Sequence, residues 1–340
     1  MAPNFARTEA RAWALENMRG VANVVAPTFT SDLAALNEAA IRHDIRREIE
    51  LGFWGTLLVS EVAITPEEYA QFARWSAEEA GGKLHLIHHA SHNTLADNIA
   101  AAQATQAAGT ELALLGYPPT FYPKDAEEIY AYTRSFCDAV DLAVILFPVP
   151  LWNFERIHPS AGFGPELIER LLDDCPNIVA IKAEGGMPAV SGFIDVYRRF
   201  ADRVRVIEPI ESNGIPMATI VDMPFMGTSN YEYYGGEIPR IFKLVSEGKH
   251  DEAMEGYWRL HPARRANGQA MAHLAGSNFL HRMLWKYQGW LSGWNGGPLR
   301  APSMRLTDPQ MKGLRAGLVA AGLPVTDDDD AAFFVGRHPK

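Results

Sequence analysis

The chain has 340 residues, of which 47% are hydrophobic, 10% aromatic and 21% charged, a composition typical of a folded globular protein with a large core. The formal net charge of −10 argues against nucleic acid as a partner. The N-terminal residues show no apolar signal-peptide core, and no uninterrupted apolar run approaches the length of a membrane span, so we expect neither. The two cysteines have neither metal-binding nor redox spacing, so we expect no disulfide framework and a cytoplasmic protein.

Short apolar runs alternate with helical patterns through roughly the first 250 residues, the usual length of a (β/α)8 barrel. Eight runs are predicted as strands, at Val21–Pro27, Trp54–Ser60, Leu84–His89, Leu112–Gly116, Leu142–Phe147, Ile178–Lys182, Val204–Pro209 and Phe225–Ser229. Helices are predicted to follow them, at Asn37–Leu51, from Thr65 onward, and at Thr94–Ala108, Ala126–Ala139, Pro165–Asp173, Val190–Phe200, Ile215–Val221 and Ile238–Glu247. The pattern therefore predicts the α/β class and a (β/α)8 TIM barrel.

The pattern changes after the eighth unit, where helices follow one another without strands. They are predicted at Lys249–His273, Ser277–Ser292 and Pro309–Ala321. We therefore expect an N-terminal segment at 1–20, the barrel at 21–248 and a C-terminal helical extension at 249–322. The remaining residues, 323–340, contain the acidic run Asp327–Asp330 and are predicted to form a flexible tail.

Lys182 ends the sixth predicted strand, Ile178–Lys182, and is followed by Glu184 in a glycine-rich turn. A lysine at the end of a buried strand has a depressed pKa, and its neutral amine is a nucleophile toward carbonyl carbon. In barrels of this kind the active-site groups lie at the carboxyl ends of the strands. This position favours a catalytic lysine over one that merely extends to the surface.

Several short motifs occur in an order that resembles the dihydrodipicolinate synthase / N-acetylneuraminate lyase family of Schiff-base aldolases. The motifs are Ala26-Pro27-Thr28-Phe29, Ile64-Thr65-Pro66-Glu67-Glu68, Ser91-His92-Asn93-Thr94, Val144–Pro150, Asn177–Lys182, Gly227-Thr228-Ser229-Asn230 and Leu299-Arg300-Ala301-Pro302. The resemblance implies a barrel with a C-terminal helical extension, a homo-oligomer (a dimer or, as is usual in the family, a tetramer), and an imine between Lys182 and the ketone of a 2-oxo acid. We expect no cofactor, no resident metal, and neither a membrane nor a nucleic acid as partner.

Three positions depart from that family. Phe147 replaces the tyrosine that relays protons, Leu57-Leu58-Val59-Ser60-Glu61 replaces a hydroxyl-rich loop, and Ala26 replaces a threonine. Because phenylalanine carries no proton and the loop retains one hydroxyl, the sequence argues against the ordinary synthase and the ordinary sialic-acid lyase.

Other side chains could replace the missing proton carriers. His88 and His89 end the third strand, and only one of them should face the barrel axis, although the apolar pattern does not decide which. The alternative is a histidine hydrogen-bonded beneath a loop. Glu61 is a further acid or base candidate, or else a carboxylate at a helix start or the partner in a salt bridge. Tyr117, like Tyr122, could supply the missing phenol or pack at a subunit interface.

The remaining candidates concern substrate binding. They are Ser60, Phe147, Trp152, Glu184, Glu208, Ser229 and Asn230. The serines and Asn230 could bind a carboxylate or carbonyl. Aromatic residues in the surrounding loops favour a bulky or aromatic substrate, or alternatively an oligomer interface.

Three functions remain open from the sequence. The first is a lyase, either an aldolase or a hydratase-aldolase, acting through an imine at Lys182, with a hydro-lyase on sugar-derived acids as a close variant. The second is an enzyme without an imine that uses histidine and glutamate for acid–base chemistry or as metal ligands, although their spacing is not diagnostic. The candidates are His88, His89, Glu61, Glu208 and Glu211. The third is a binding protein that has lost catalysis.

Overall fold

The computed structural model describes residues 4–158, 163–183, 189–275 and 281–340. Its eight strands are β1 (Gly20–Val25), β2 (Gly55–Leu58), β3 (His85–Ala90), β4 (Leu112–Leu115), β5 (Ala143–Leu146), β6 (Ile178–Lys182), β7 (Arg205–Ile207) and β8 (Phe225–Gly227). They form one sheet in the order β7-β6-β5-β4-β3-β2-β1-β8. Sequential neighbours that return from β8 to β1 are the topology of a (β/α)8 barrel, so the predicted fold class is confirmed.

Fourteen helices accompany the strands in the described ranges. They are α1 (Ala10–Asn17), α2 (Glu38–Glu50), α3 (Pro66–Ala80), α4 (Leu95–Ala108), α5 (Ala126–Ala139), α6 (Pro165–Asp174), α7 (Ala189–Phe200), α8 (Glu211–Ala218), α9 (Glu237–Ser246), α10 (His250–Arg259), α11 (His261–Ala275), α12 (Arg282–Leu291), α13 (Asp308–Ala320) and α14 (Ala331–Val335). None of these helices is long and apolar enough to cross a membrane.

The start of α3 shows how the sequence sets a helix boundary. The Thr65 side chain accepts the N–H of Glu68 at 3.2 Å, and the Glu68 carboxylate accepts the N–H of Thr65 at 3.0 Å. Pro66 occupies the first helical position, where its missing N–H leaves no hydrogen bond unmade.

The prediction of one helix at Lys249–His273 is wrong, because the chain forms α10 and α11 with Leu260 between them. Pro262 lies in the first turn of α11. A proline cannot donate the hydrogen bond that a continuous helix would require at that point, whereas the first turn of a new helix tolerates it.

Contacts divide the chain into two compact units. The first consists of Met1–Ala22 and His85–Thr228, and the second of Asn23–Leu84 and Ser229–Lys340. The first unit contains the parallel pairs from β3 to β7 and the pair of β1 with β8. Its two cysteines, Cys137 and Cys175, are both buried and free.

The second unit includes the C-terminal residues that the sequence predicts as a flexible tail. There α14 places the Phe333 ring, which is fully buried, against the rings of Tyr287 and Trp290, at centroid distances of 5.2 and 5.9 Å. The acidic run is also engaged, since Asp330 accepts hydrogen bonds from Arg315 at 2.5 Å and from Tyr287 at 2.8 Å.

Candidate active site

The register of the first unit places Lys182 and one of the two histidines on the same face of the sheet. Paired residues follow one another across four strands, through His89, Leu114, Ile145 and Ala180. Side chains alternate along a strand, so Lys182, two residues beyond Ala180, shares the face of His89. His88 therefore lies on the opposite face.

The amine of Lys182 lies against an aromatic ring. Lys182 is 6% exposed, and its Nζ lies 4.0 Å from the centroid of the Phe147 ring. Phe147 directly follows β5 and is equally buried. A cation over a ring face is attracted by the negative potential of that face, and the attraction is larger where water is excluded.

Trp152 holds Phe147 in place. Its indole N–H donates to the backbone carbonyl of Phe147 at 2.6 Å, and the two rings are nearly perpendicular, with centroids 5.8 Å apart. Gly116 leaves the space that the indole fills, because a Cβ there would lie 3.1 Å from Trp152 and 2.9 Å from the carbonyl oxygen of Ala90. Sequence reasoning missed Gly116, although its position directly after a strand was a usable signal.

His89 lies in the electrostatic field of this amine. Burial and, to a smaller extent, the positive charge of Lys182 together lower the pKa of His89 to about 3. The imidazole is therefore neutral at neutral pH, with one nitrogen that donates and one that can accept a proton. A neutral imidazole and an amine thus share one buried face.

His88 belongs to the helix side of the sheet. It is fully buried, and its Nδ1 lies 2.9 Å from the hydroxyl of Thr105 on α4. Burial lowers the pKa of His88 well below its usual value, with smaller contributions from His92 and His89. The sequence did not decide which of the two histidines lies on the face of Lys182, and the structure shows that it is His89.

Tyr117 points its hydroxyl toward α5. The hydroxyl lies 2.7 Å from that of Thr133, which itself donates to the carbonyl of Ile129 at 2.7 Å, so Tyr117 is the donor of the pair. Burial raises the pKa of the Tyr117 phenol far above its usual value. The ring packs among other aromatic rings, namely Phe121, Tyr132, Trp152, Phe154 and Phe163.

Glu208 directly follows β7 and is 2% exposed. Its carboxylate accepts the N–H of Ile210 at 2.9 Å, a contact that stabilises the turn into α8. Glu184, predicted to contact substrate, lies outside the described residues. No three His, Cys, Asp or Glu side chains come together as metal ligands in the ranges that the structure describes.

The second unit holds four of the predicted site residues. Glu61 forms an ion pair with Arg282 of α12, whose side chain is 9% exposed. Burial lowers the pKa of the Arg282 guanidinium to about 9. Ser60 is buried and follows β2, while Ser229 lies beside Asn230, which donates to Gln288 at 3.4 Å.

The second unit also contains a buried lysine that sequence reasoning missed. The Lys286 ammonium group donates to the carbonyl of Pro27 at 3.0 Å and to the hydroxyl of Thr28 at 2.7 Å. Burial lowers the pKa of Lys286 to about 7 and raises that of Asp44 to about 7. Both line a small cavity of about 30 Å³. The spacing of Arg282 and Lys286, one helical turn apart, was the available signal.

Comparison with known proteins places the chain among related sequences. A model of the dihydrodipicolinate synthetase family matches residues 17–310. A 4-hydroxy-tetrahydrodipicolinate synthase from Thiobacillus denitrificans is 33% identical over 195 residues, which cover 56% of this chain and 62% of that protein. A probable 5-dehydro-4-deoxyglucarate dehydratase from Ralstonia nicotianae is 26% identical over 267 residues, covering 75% of this chain and 76% of that protein.

A solved structure supports the fold. The crystal structure of dihydrodipicolinate synthase from Aquifex aeolicus superposes with a TM-score of 0.76 and 17% identity, covering 91% of this chain and 100% of that one. At this identity the likeness carries the barrel fold and nothing finer.

Proposed function

Because this chain belongs to the dihydrodipicolinate synthetase family, whose members are lyases, we propose that it cleaves or forms a bond of a 2-oxo acid through an imine at Lys182. The observation that carries the proposal is the buried amine of Lys182, which lies against Phe147 and whose positive charge acts on His89. The matched relatives are named as a synthase and as a dehydratase, so the proposal covers carbon–carbon and carbon–oxygen bonds.

The chemistry begins when the neutral amine adds to the ketone of the acid. Nitrogen loses a proton, the former carbonyl oxygen leaves as water after it is protonated, and the product is a protonated imine. This cation withdraws electrons from the adjacent carbon. Loss of a proton there gives an enamine. The same carbon can then form a bond to an aldehyde carbon, or the enamine can expel a hydroxyl group from the next carbon as water after its protonation; cleavage of a carbon–carbon bond is the reverse of the first step.

His89 is the proposed proton carrier. A neutral imidazole can take the proton from the adjacent carbon of the imine and return it later. Burial and, to a smaller extent, the positive charge on Lys182 lower the pKa of His89, so a proton that the imidazole takes up is readily given back. Phe147 cannot exchange a proton, and we leave Tyr117 and His88 out of this path because their described hydrogen bonds are to helices α5 and α4.

The aromatic side chains beside the amine suggest the kind of substrate. Phe147 and Trp152 form an apolar wall, which suits a bulky or aromatic substituent better than a polyhydroxylated one. Ser60, Glu184, Glu208, Ser229 and Asn230 remain proposed substrate contacts. We also propose that the protein is a cytoplasmic homo-oligomer without a cofactor.

Borohydride trapping tests the proposal. The protein is incubated separately with pyruvate and with an aromatic 2-oxo acid, reduced, digested and analysed by mass spectrometry. We expect a reduced adduct on Lys182, absent from Lys182→Met and from Lys182→Arg, which keeps the charge but cannot form the imine.

Two results would contradict the imine. One is the absence of an adduct with any 2-oxo acid tested. The other is full turnover by Lys182→Met on an identified substrate, which would favour acid–base chemistry by the histidine and carboxylate groups instead.

A further inference from the structure

The contact between Lys182 and Phe147 has a chemical meaning beyond packing. The nitrogen of Lys182 lies 4.0 Å from the centroid of the ring, over its face, and both residues are 6% exposed. Burial on an apolar strand disfavours the cationic form of an amine, since that form loses its hydration. An aromatic face is one of the few apolar surfaces that still attracts a cation.

The ring is fixed in the orientation that this contact needs. Trp152 donates its indole N–H to the carbonyl of Phe147 and stands nearly perpendicular to the Phe147 ring, at an angle of 88°. The indole in turn occupies the space above Gly116. The hydrogen bond fixes the backbone of Phe147, and the edge-to-face packing of the indole favours a ring orientation with one face toward the amine.

We propose that the face of Phe147 is an electrostatic partner of the cationic nitrogen on Lys182, first as the ammonium and then as the iminium of the bound 2-oxo acid. The second half of this role rests on the proposed imine chemistry. Phe147 thereby takes a catalytic role in this chain through its ring face, while proton transfer passes to His89.

The expected size of the effect follows from what such contacts contribute when water is excluded. Loss of a buried cation–aromatic contact changes an equilibrium constant by about 5- to 30-fold. For the ammonium this corresponds to a fall in the pKa of Lys182 of about one unit when the ring face is removed. For the iminium it corresponds to a similar loss in the fraction of enzyme held as imine.

The experiment first measures the pKa of Lys182 without substrate. Brief acetylation with acetic anhydride is performed across a range of pH, and the modification of Lys182 is quantified by mass spectrometry. Lys124, whose side chain is 85% exposed, serves as the internal reference. The variants are Phe147→Leu, which removes the ring, Phe147→Tyr, which keeps a ring face, and Phe147→pentafluorophenylalanine, which keeps the shape and reverses the potential of the face.

We expect the pKa of Lys182 to fall by about one unit in the leucine and pentafluorophenylalanine variants and to stay within a few tenths in Phe147→Tyr. The same pKa in all four proteins would overturn the proposal. The pentafluorophenylalanine variant guards against misfolding, because the ring shape is retained.

Borohydride trapping of pyruvate on the same variants tests the second half. The apparent dissociation constant for the trapped adduct should rise about 5- to 30-fold when the ring face is lost. If no acid is trapped on any of the proteins, the proposed function and the iminium role fail together. The pKa series still decides whether Phe147 stabilises the ammonium, so the two failures are distinguishable.

Discussion

The two adjacent histidines of β3 have different surroundings, although they are one residue apart. His89 shares a buried face with Lys182, whereas His88 bonds to Thr105 on α4. The two residues are adjacent in the sequence and both are buried, so neither their sequence neighbours nor their burial distinguishes them. We therefore expect the two imidazoles to give opposite results when each is replaced.

The prediction for His89 concerns proton transfer. His89→Gln should slow the exchange of the methyl protons of pyruvate for deuterium by about 10²- to 10⁴-fold, because the enamine requires a proton carrier. Borohydride trapping on Lys182 should persist, since the amine itself remains. Exchange is followed by NMR in D₂O, and exchange at the original rate in His89→Gln would exclude this residue as the carrier.

The matched variant is His88→Gln. It should lower the free energy of unfolding by about 1–3 kcal/mol, since a buried hydrogen bond is lost, and leave the exchange rate per folded molecule unchanged. Urea unfolding measures the first quantity. A large loss of exchange in this variant with unchanged stability would reverse the assignment of the two histidines.

Glu61 gives a second prediction for a single residue. Its ion pair with the buried Arg282 indicates a structural carboxylate, so Glu61→Gln should lower the free energy of unfolding by about 1–3 kcal/mol. The double variant Glu61→Gln/Arg282→Gln should recover part of that loss, because no unpaired buried charge remains. An unchanged stability together with lost turnover would instead support the acid–base role that the sequence suggested.

The sequence could name these residues but not separate their roles. Strand β3 is apolar on both faces, so alternation gives no hint about which histidine faces Lys182. The separation requires the register of four strands and the contact of Thr105, which are long-range facts. For the same reason the pairing of Glu61 with Arg282, which lies far along the chain, could not be read from either residue.

At the scale of an element, β3 and the turn after it place two buried histidines, His88 and His89, close to the half-buried His92. Burial lowers the pKa of His89 to about 3 and that of His92 to about 4, and it lowers the pKa of His88 well below its usual value. The folded protein thus holds these imidazoles neutral, while the unfolded chain would protonate them near pH 6.5. Their contribution to stability is therefore complete above pH 6.5 and is lost as the pH falls from there.

The prediction is a difference in slope. Between pH 6.5 and about 4, His89 should make the free energy of unfolding fall by about 1.4 kcal/mol per pH unit, and His89→Gln should lack that part of the slope. The slope must be compared between the unmodified protein and His89→Gln. Buried carboxyls such as Glu48 and Glu232 have raised pKa values, and they change the free energy of unfolding with pH in the opposite direction. Equal slopes in the two proteins would mean that His89 is protonated in the fold.

Elements were predictable where local signals agreed. The capping box at Thr65 and the apolar run of β6 gave their boundaries within a residue or two. The helix at Lys249–His273 was predicted too long because the helical pattern of apolar residues continues through Pro262. The sequence alone does not show whether this proline lies inside one helix or in the first turn of a second helix.

At the scale of the whole molecule, the C-terminal residues are the clearest departure from expectation. Four consecutive aspartates predicted a solvated tail, yet Arg315 and Arg337 pair with Asp330 and Asp328. The apolar residues that follow them supply the missing signal, because the Phe333 ring is fully buried. Charge alone is therefore a weak guide where arginines and buried aromatic rings are nearby.

Adjacent phenylalanines make this testable. Phe333→Ala should lower the free energy of unfolding by about 3–5 kcal/mol, because a large ring is removed from contact with Tyr287 and Trp290. Phe334, which is 44% exposed, is the matched control, and its replacement by alanine should change the stability by less than about 0.5 kcal/mol. The free energy of unfolding is measured by thermal and urea unfolding. Similar small effects at both positions would support the prediction that these residues form a flexible tail.

The two buried cysteines allow the opening of the first unit to be measured by thiol labelling. Cys137 and Cys175 are both buried, and the chain has no other cysteine. A thiol reagent should therefore not react with the native protein and should label it only when the first unit opens. The labelling rate would then count opening events directly, without a spectroscopic probe. A cysteine placed at Tyr122, whose side chain is 69% exposed, would conversely accept a dye or spin label at one known position on a silent background.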